Sequence, residues 1–215
     1  MTPPVPGPRQ LPRGFFDRPA TAVAPALLGC VISHQTAAGM VAVTLAEVEA
    51  YAGESDPASH AFRGRTARNA VMFGAPGHAY VYFTYGMHFC VNLVCQPPGQ
   101  ASAVLLRAGR VTDGVVLARV RRSVLRELDL ARGPARLCEA LGIDRSQDGA
   151  DVCDPASPLR VWAPQAPVPA VGISRGPRVG VSRAADVAWR FWITSEPAVS
   201  AYRRQAARRP AAGAT

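Results

Sequence analysis

The sequence predicts an α+β fold, and three observations carry that prediction. Residues 40–51, MVAVTLAEVEAY, are rich in β-branched and aliphatic side chains and read as a strand. Residues 80–95 hold two β-prone runs around Gly86 and read as a hairpin. From Val111 to Leu130, apolar residues recur at helical spacing between arginines, which predicts an amphipathic helix. Strands and helices coexist without the regular alternation of a βαβ protein.

Taken in order, the apolar run from Ala20 to Ile32 is interrupted by Pro25 and falls short of the ~18 residues a bilayer span needs. Along 40–51, period-2 alternation puts Glu47, Glu49 and Tyr51 on one face and Ala46, Val48 and Ala50 on the other. Carboxylates at the end of an apolar strand need partners, because unpaired buried charge is costly. Either a structural salt-bridged pair or a catalytic carboxylate satisfies that need. The stretch 52–79, dense in Gly, Asp, Ser and Pro, predicts loops with short helices, with Asp56 and Pro57 as N-cap and first residue of a helix carrying His60. The hairpin should turn near Tyr85 and Gly86, with Tyr80 and Tyr82 on one face of its first arm. A second helix should run from Pro134 to a C-terminal cap at Gly142. Residues 176–181 and 189–193 read as closing strands.

No repeat or composition break divides residues 14–203, which are expected to form a single compact domain between a disordered tail at 1–13 and a basic disordered tail at 204–215. The first 13 residues lack the apolar stretch of a secretory signal, so the expected location is cytoplasmic. Charge is lopsided: 24 basic against 15 acidic side chains give +9, and every basic residue is arginine. A polyanionic partner follows, either nucleic acid or a membrane surface. The lack of lysine removes side-chain Schiff-base chemistry. Five cysteines at 30, 90, 95, 138 and 153 make an odd count, against a disulfide framework. His88, Cys90 and Cys95 lack metal-site spacing and read as a strand with buried thiols, so neither metal nor cofactor is expected.

Glu49 and Tyr51 on one strand face, a loop histidine, an aromatic hairpin and a basic surface suit an enzyme acting on a base removed from the DNA stack. A nonenzymatic damage-binding protein and an RNA-acting or formyl-transfer-type enzyme on the same scaffold stay open as alternatives.

The motifs narrow the choice. Glu47-Val-Glu-Ala-Tyr51, Asp56-Pro-Ala-Ser-His60, Arg68-Asn69, Tyr80-Val-Tyr82, Tyr85-Gly86-Met87, Asn92, Val104-Leu-Leu-Arg107, the segment 133–142 and Gly176-Pro-Arg-Val-Gly180 occur in this order along nearly the whole chain. In that set the sequence resembles the alkyladenine (3-methyladenine) DNA glycosylase family. The resemblance implies a curved, mostly antiparallel sheet with surrounding helices and a protruding hairpin that enters the DNA minor groove. It implies a monomeric, nucleoid-associated, monofunctional hydrolase that flips alkylated or deaminated purines out of double-stranded DNA and starts base excision repair. Glu49 would activate the attacking water, with Arg107 positioning it. Tyr51 would stack on one face of the flipped base, His60 and Tyr82 on the other, and Asn92 would line the wall against normal guanine. Tyr85, with Met87, would intercalate where the base has left. Arg68, Arg136 and Arg178 would contact phosphates. His88 and the Pro97-Pro98 pair depart from the family pattern.

Overall fold

The computed structural model describes residues 9–84, 86–124 and 126–202. Among these residues it is an α+β fold with an eight-stranded antiparallel sheet and four α-helices. After the short helix α1 (Arg13–Phe16), the apolar run splits into helix α2 (Ala20–Leu27), which contains Pro25, and strand β1 (Val31–Thr36). Strand β2 (Gly39–Tyr51) follows as the long central strand. The hairpin is β3 (Ala79–Thr84) and β4 (His88–Val94), and β5 (Ala103–Asp113) returns beside it. Helices α3 (Val115–Arg122) and α4 (Pro134–Leu141) come next, followed by β6 (Leu159–Trp162), β7 (Ile173–Gly176) and β8 (Arg190–Ile193).

The sheet order is β3-β4-β5-β2-β1-β6. β8 pairs with the far half of β2, at residues 47–49, and with β7. Thus β2 carries β1 along its first half and β8 along its second, with β5 on its other edge. The main core gathers Leu27, Ile32, Val43, Val48, Leu93, Leu106, Leu137 and Leu141, which ties α2 and α4 to the sheet. A smaller cluster of Ala61, Met72, Tyr80, Val94, Ala101 and Ala103 lies under the loops after β2.

Three expected elements differ from those observed. The helix expected over 111–130 is only α3, because β5 keeps its pairing with β2 as far as Asp113. Gly114 then turns the chain at φ +69°, where a Cβ would sit 2.1 Å from the Met40 carbonyl oxygen, and Ser123 ends the helix in a left-handed conformation. Asp56-Pro57 opens no α-helix: residues 57–63 form turns, and the only helical pieces of the 52–79 stretch are single 3-10 turns at Gly53–Ser55 and Ala70–Phe73. The strand expected at 176–181 lies earlier, at Ile173–Gly176, where it pairs with β8; Pro177 lacks the N–H needed to continue it. The second helix matches expectation, ending at Leu141 with Gly142 left-handed.

Candidate active site

A β-bulge builds the site. Opposite β2, Leu106 pairs with Val48 and Ala108 pairs with Glu47, so Arg107 has no partner of its own in the ladder, and neither does Ala46 on β2. The two irregularities bring Arg107 onto the face that Glu47 and Glu49 share. Arg107 Nε donates to Glu47 Oε1 at 2.7 Å, and its Nη1 lies 3.3 Å from Glu49 Oε1. Both carboxylates are fully buried.

Beside this ion pair, Glu49 has two hydrogen-bond donors. The Tyr51 hydroxyl donates to its Oε2 at 2.9 Å, and the backbone N–H of Val179 donates to its Oε1 at 2.7 Å. Burial first, and the Glu49 charge second, push the Tyr51 phenol far above its ordinary pKa, so it remains a donor. For Glu47, burial alone would raise the pKa. The charges of Arg107 and then Arg190, with hydrogen bonds from Ser200 and Arg107, outweigh burial and hold it below the usual carboxylate value. Glu47 thus sits in a salt-bridged cluster, while Glu49 is bonded to groups that border an open cleft.

That cleft has a volume of about 420 Å³. Tyr51, His60, Tyr82, Asn92 and Arg107 all line it, so the structure collects these expected site residues in one place. Tyr82 meets the His60 ring edge-on at 4.5 Å between centroids and stacks on Tyr80 at 5.6 Å. His60 Nδ1 is 3.1 Å from the Tyr80 hydroxyl. Burial, then the Arg68 charge, lowers the His60 pKa, so its imidazole is neutral at pH 7. Asn92 donates from its side-chain amide to the Tyr80 carbonyl at 3.2 Å.

The remaining expected residues separate into different environments. Met87 is 67% exposed on the hairpin turn, beside Phe83 at 40%. Tyr85 lies outside the described residues, as do residues 1–8 of the tail expected at 1–13 and all of the tail expected at 204–215. Arg68 is exposed on the loop before Asn69 and donates to the Phe83 carbonyl, and Arg136 is exposed in the first turn of α4. Arg178 corrects the expectation of a phosphate contact. It is 1% exposed, forms two hydrogen bonds to the buried Asp56, donates to the Ala50 carbonyl and lies over the Tyr51 ring at 4.7 Å. A guanidinium so enclosed has no route to a DNA backbone.

Sequence reasoning missed the loop 179–183, which lines the cleft and supplies the Val179 N–H, and it gave Arg190 and Ser200 no role. A glycine-rich Gly-Pro-Arg-Val-Gly segment was the available signal for the loop; long-range contacts to Ser200 left none. Cys90 also lines the cleft, as a buried free thiol.

Comparison with known proteins identifies the family. The family described as Methylpurine-DNA glycosylase (MPG) matches residues 14–197. A Streptomyces avermitilis protein is 55% identical over 201 residues, covering 93% of this chain and 94% of its own. A Leifsonia xyli protein is 49% identical over 204 residues (91% and 93%), and one from Mycobacterium tuberculosis 48% over 200 (90% and 94%). Each of the three carries the name "Putative 3-methyladenine DNA glycosylase".

Proposed function

This chain belongs to the methylpurine-DNA glycosylase family, and from that premise we propose that it excises damaged purines from duplex DNA by attack of a Glu49-activated water on C1′ of a flipped nucleotide. The single observation that carries the reading is the setting of Glu49: a buried carboxylate bonded to Tyr51, Arg107 and Val179, all three of which line an aromatic cleft. A structural carboxylate needs no cleft beside it.

The chemistry follows from these groups. Two hydrogen-bond donors and the Arg107 ion pair fix the Glu49 carboxylate in one orientation, and Glu49 takes a proton from water as the C1′–O bond forms. The C1′–N bond breaks with its electron pair moving to the base. A purine alkylated at N3 or N7 already carries positive charge, so it leaves neutral without an added proton. Tyr82 and the open face of Tyr51 offer π surface to that cation, an attraction of about 1 to 2 kcal/mol when desolvated. His60, being neutral, adds no opposing charge. Neutral lesions such as hypoxanthine need a proton, which places cationic purines first among substrates. Asn92 at the cleft wall would crowd the 2-amino group of normal guanine. Met87 at the hairpin turn, together with Tyr85, two positions earlier in the sequence, would enter the minor groove and fill the space the base vacates.

Single-turnover excision on duplexes with one 7-methylguanine, hypoxanthine or ethenoadenine tests this. Glu49→Gln is expected to lose about 10² to 10⁴ in rate while still binding a stable abasic analogue. Excision within threefold of wild type removes Glu49 from the role.

A further inference from the structure

The Glu47 carboxylate takes four hydrogen bonds, and two of them come from Ser200. Oε1 accepts from Arg107 Nε at 2.7 Å, Arg190 Nε at 2.7 Å and Ser200 Oγ at 2.9 Å, and Oε2 accepts from the Ser200 backbone N–H at 2.7 Å. Arg107 Nη2 also reaches Ser200 Oγ, at 3.4 Å, and Arg190 Nη2 donates to the Ser200 carbonyl at 2.8 Å. The family match stops at residue 197, three positions before this serine. Residues 196–200 form a strap that is held independently: Glu196 pairs with Arg110 at 3.1 Å, Ala198 is fully buried, and Arg132 Nε donates to the Val199 carbonyl at 2.9 Å.

A guanidinium is planar, so fixing two of its edges fixes the third nitrogen. Glu47 holds Nε of Arg107 and Ser200 meets Nη2, which leaves Nη1 to face Glu49 at 3.3 Å. Glu47, shared between Arg107 and Arg190, would draw Arg107 toward itself if Ser200 did not take part of its hydrogen-bonding capacity. We propose that Ser200, acting through Glu47, is a positioning residue that sets how Arg107 meets Glu49, and that the strap, whose last three residues lie beyond the family match, is thereby part of the excision machinery. The inference rests on the Glu49 reading above.

Positioning errors of an ångström cost on the order of 10²-fold in rate, and Ser200→Ala keeps the backbone N–H, so a loss of about tenfold in single-turnover excision is expected. Affinity for the lesion duplex should stay within about twofold, because Ser200 touches no cleft surface. Ser200→Thr restores the hydroxyl and should recover the rate. In an Arg107→Gln background, Ser200→Ala should cost almost nothing further, since its effect passes through Arg107. The inference is overturned if Ser200→Ala lowers the melting temperature while the excision rate of the folded protein is unchanged, or if its loss multiplies fully with that of Arg107→Gln. Should Ser200→Ala fail to fold, Ser200→Cys, which keeps the volume and weakens the bond, carries the same expectations. Glu49→Gln run alongside separates the two claims: an active Glu49→Gln refutes the reading of the site, whereas an inactive one beside an unaffected Ser200→Ala refutes only the role of Ser200.

Discussion

Arg178 and Asp56 form a fully buried, two-pronged ion pair, with Nη1–Oδ2 at 2.5 Å and Nη2–Oδ1 at 2.9 Å. The pair fastens the turn that carries His60 to the loop whose Val179 N–H bonds Glu49. Asp56 also accepts from the backbone N–H groups of Ala52 and Ala58, so its removal would disorder the turn as well.

Replacing one partner leaves the other charged and unpaired in the interior. Arg178→Gln is therefore expected to destabilise the fold by about 3 to 5 kcal/mol, as read by urea unfolding. A loss under 1 kcal/mol would show that water reaches Asp56 readily and that the pair does little to join the two loops.

Arg68, in contrast, is exposed beside the hairpin. If it neutralises a phosphate, Arg68→Gln should reduce the slope of log affinity for undamaged duplex against log salt by about 0.9. Equal slopes for wild type and variant would assign Arg68 to its hydrogen bond with the Phe83 carbonyl alone.

These two arginines show where the sequence was legible. Strand periodicity was sufficient to place Glu47, Glu49 and Tyr51 on one face, and turn-prone residues around Gly86 were sufficient to place the hairpin. Exposure of an arginine is a tertiary property, and nothing in Gly176-Pro-Arg-Val-Gly180 distinguishes a side chain enclosed by Asp56, Tyr51 and Trp189 from one facing DNA. The bulge at Arg107 was equally hidden, because it depends on the register of β5 against β2. The 111–130 pattern misled because a strand and a helix, joined at Gly114, together mimic one long amphipathic period.

Two histidines predict a pH dependence of stability. Burial lowers the pKa of His34 and of His60, outweighing the hydrogen bond of His34 to the Leu141 carbonyl and assisted at His60 by Arg68. In the unfolded chain both return to about 6.5. Below that value the unfolded state binds more protons than the folded one, so stability present above about pH 6.5 is lost as pH falls through the lower folded values. Urea midpoints measured from pH 7.5 down to 5.5 should decline, and a His34→Gln/His60→Gln double variant should decline less. Parallel curves would contradict the assignment.

Thiol chemistry should follow burial. Cys30, Cys90, Cys95 and Cys138 are buried, and burial is the main cause that raises each of their pKa values. Cys153 is half-buried, with its thiol pushed up to about 11. A thiolate-selective disulfide reagent at pH 7.5 should therefore modify the native protein slowly, at Cys153 first, and reach all five cysteines only after denaturation. Rapid modification of Cys90 would mean that the cleft opens to solvent far more than its 4% exposure implies.

The absence of lysine leads to a prediction about the product. A glycosylase that also cuts the strand does so through an imine between an amine and C1′: the amine displaces the base at C1′, and the C1′–O4′ bond then opens to give the imine and a free O4′ hydroxyl. No side chain in this sequence offers such an amine, and the residues lining the cleft include carboxylate-bonded arginine, phenols, an imidazole and an amide in its place. Arginine does not substitute, since its guanidinium stays protonated and is a poor nucleophile at neutral pH. With water as the nucleophile the product is an intact abasic site, so strand breaks should appear only after alkali or an added abasic endonuclease. Borohydride present during excision should trap no covalent protein–DNA species. A strong trapped band with purified protein would replace the water mechanism by amine attack, and would leave Glu49 without a nucleophile to activate.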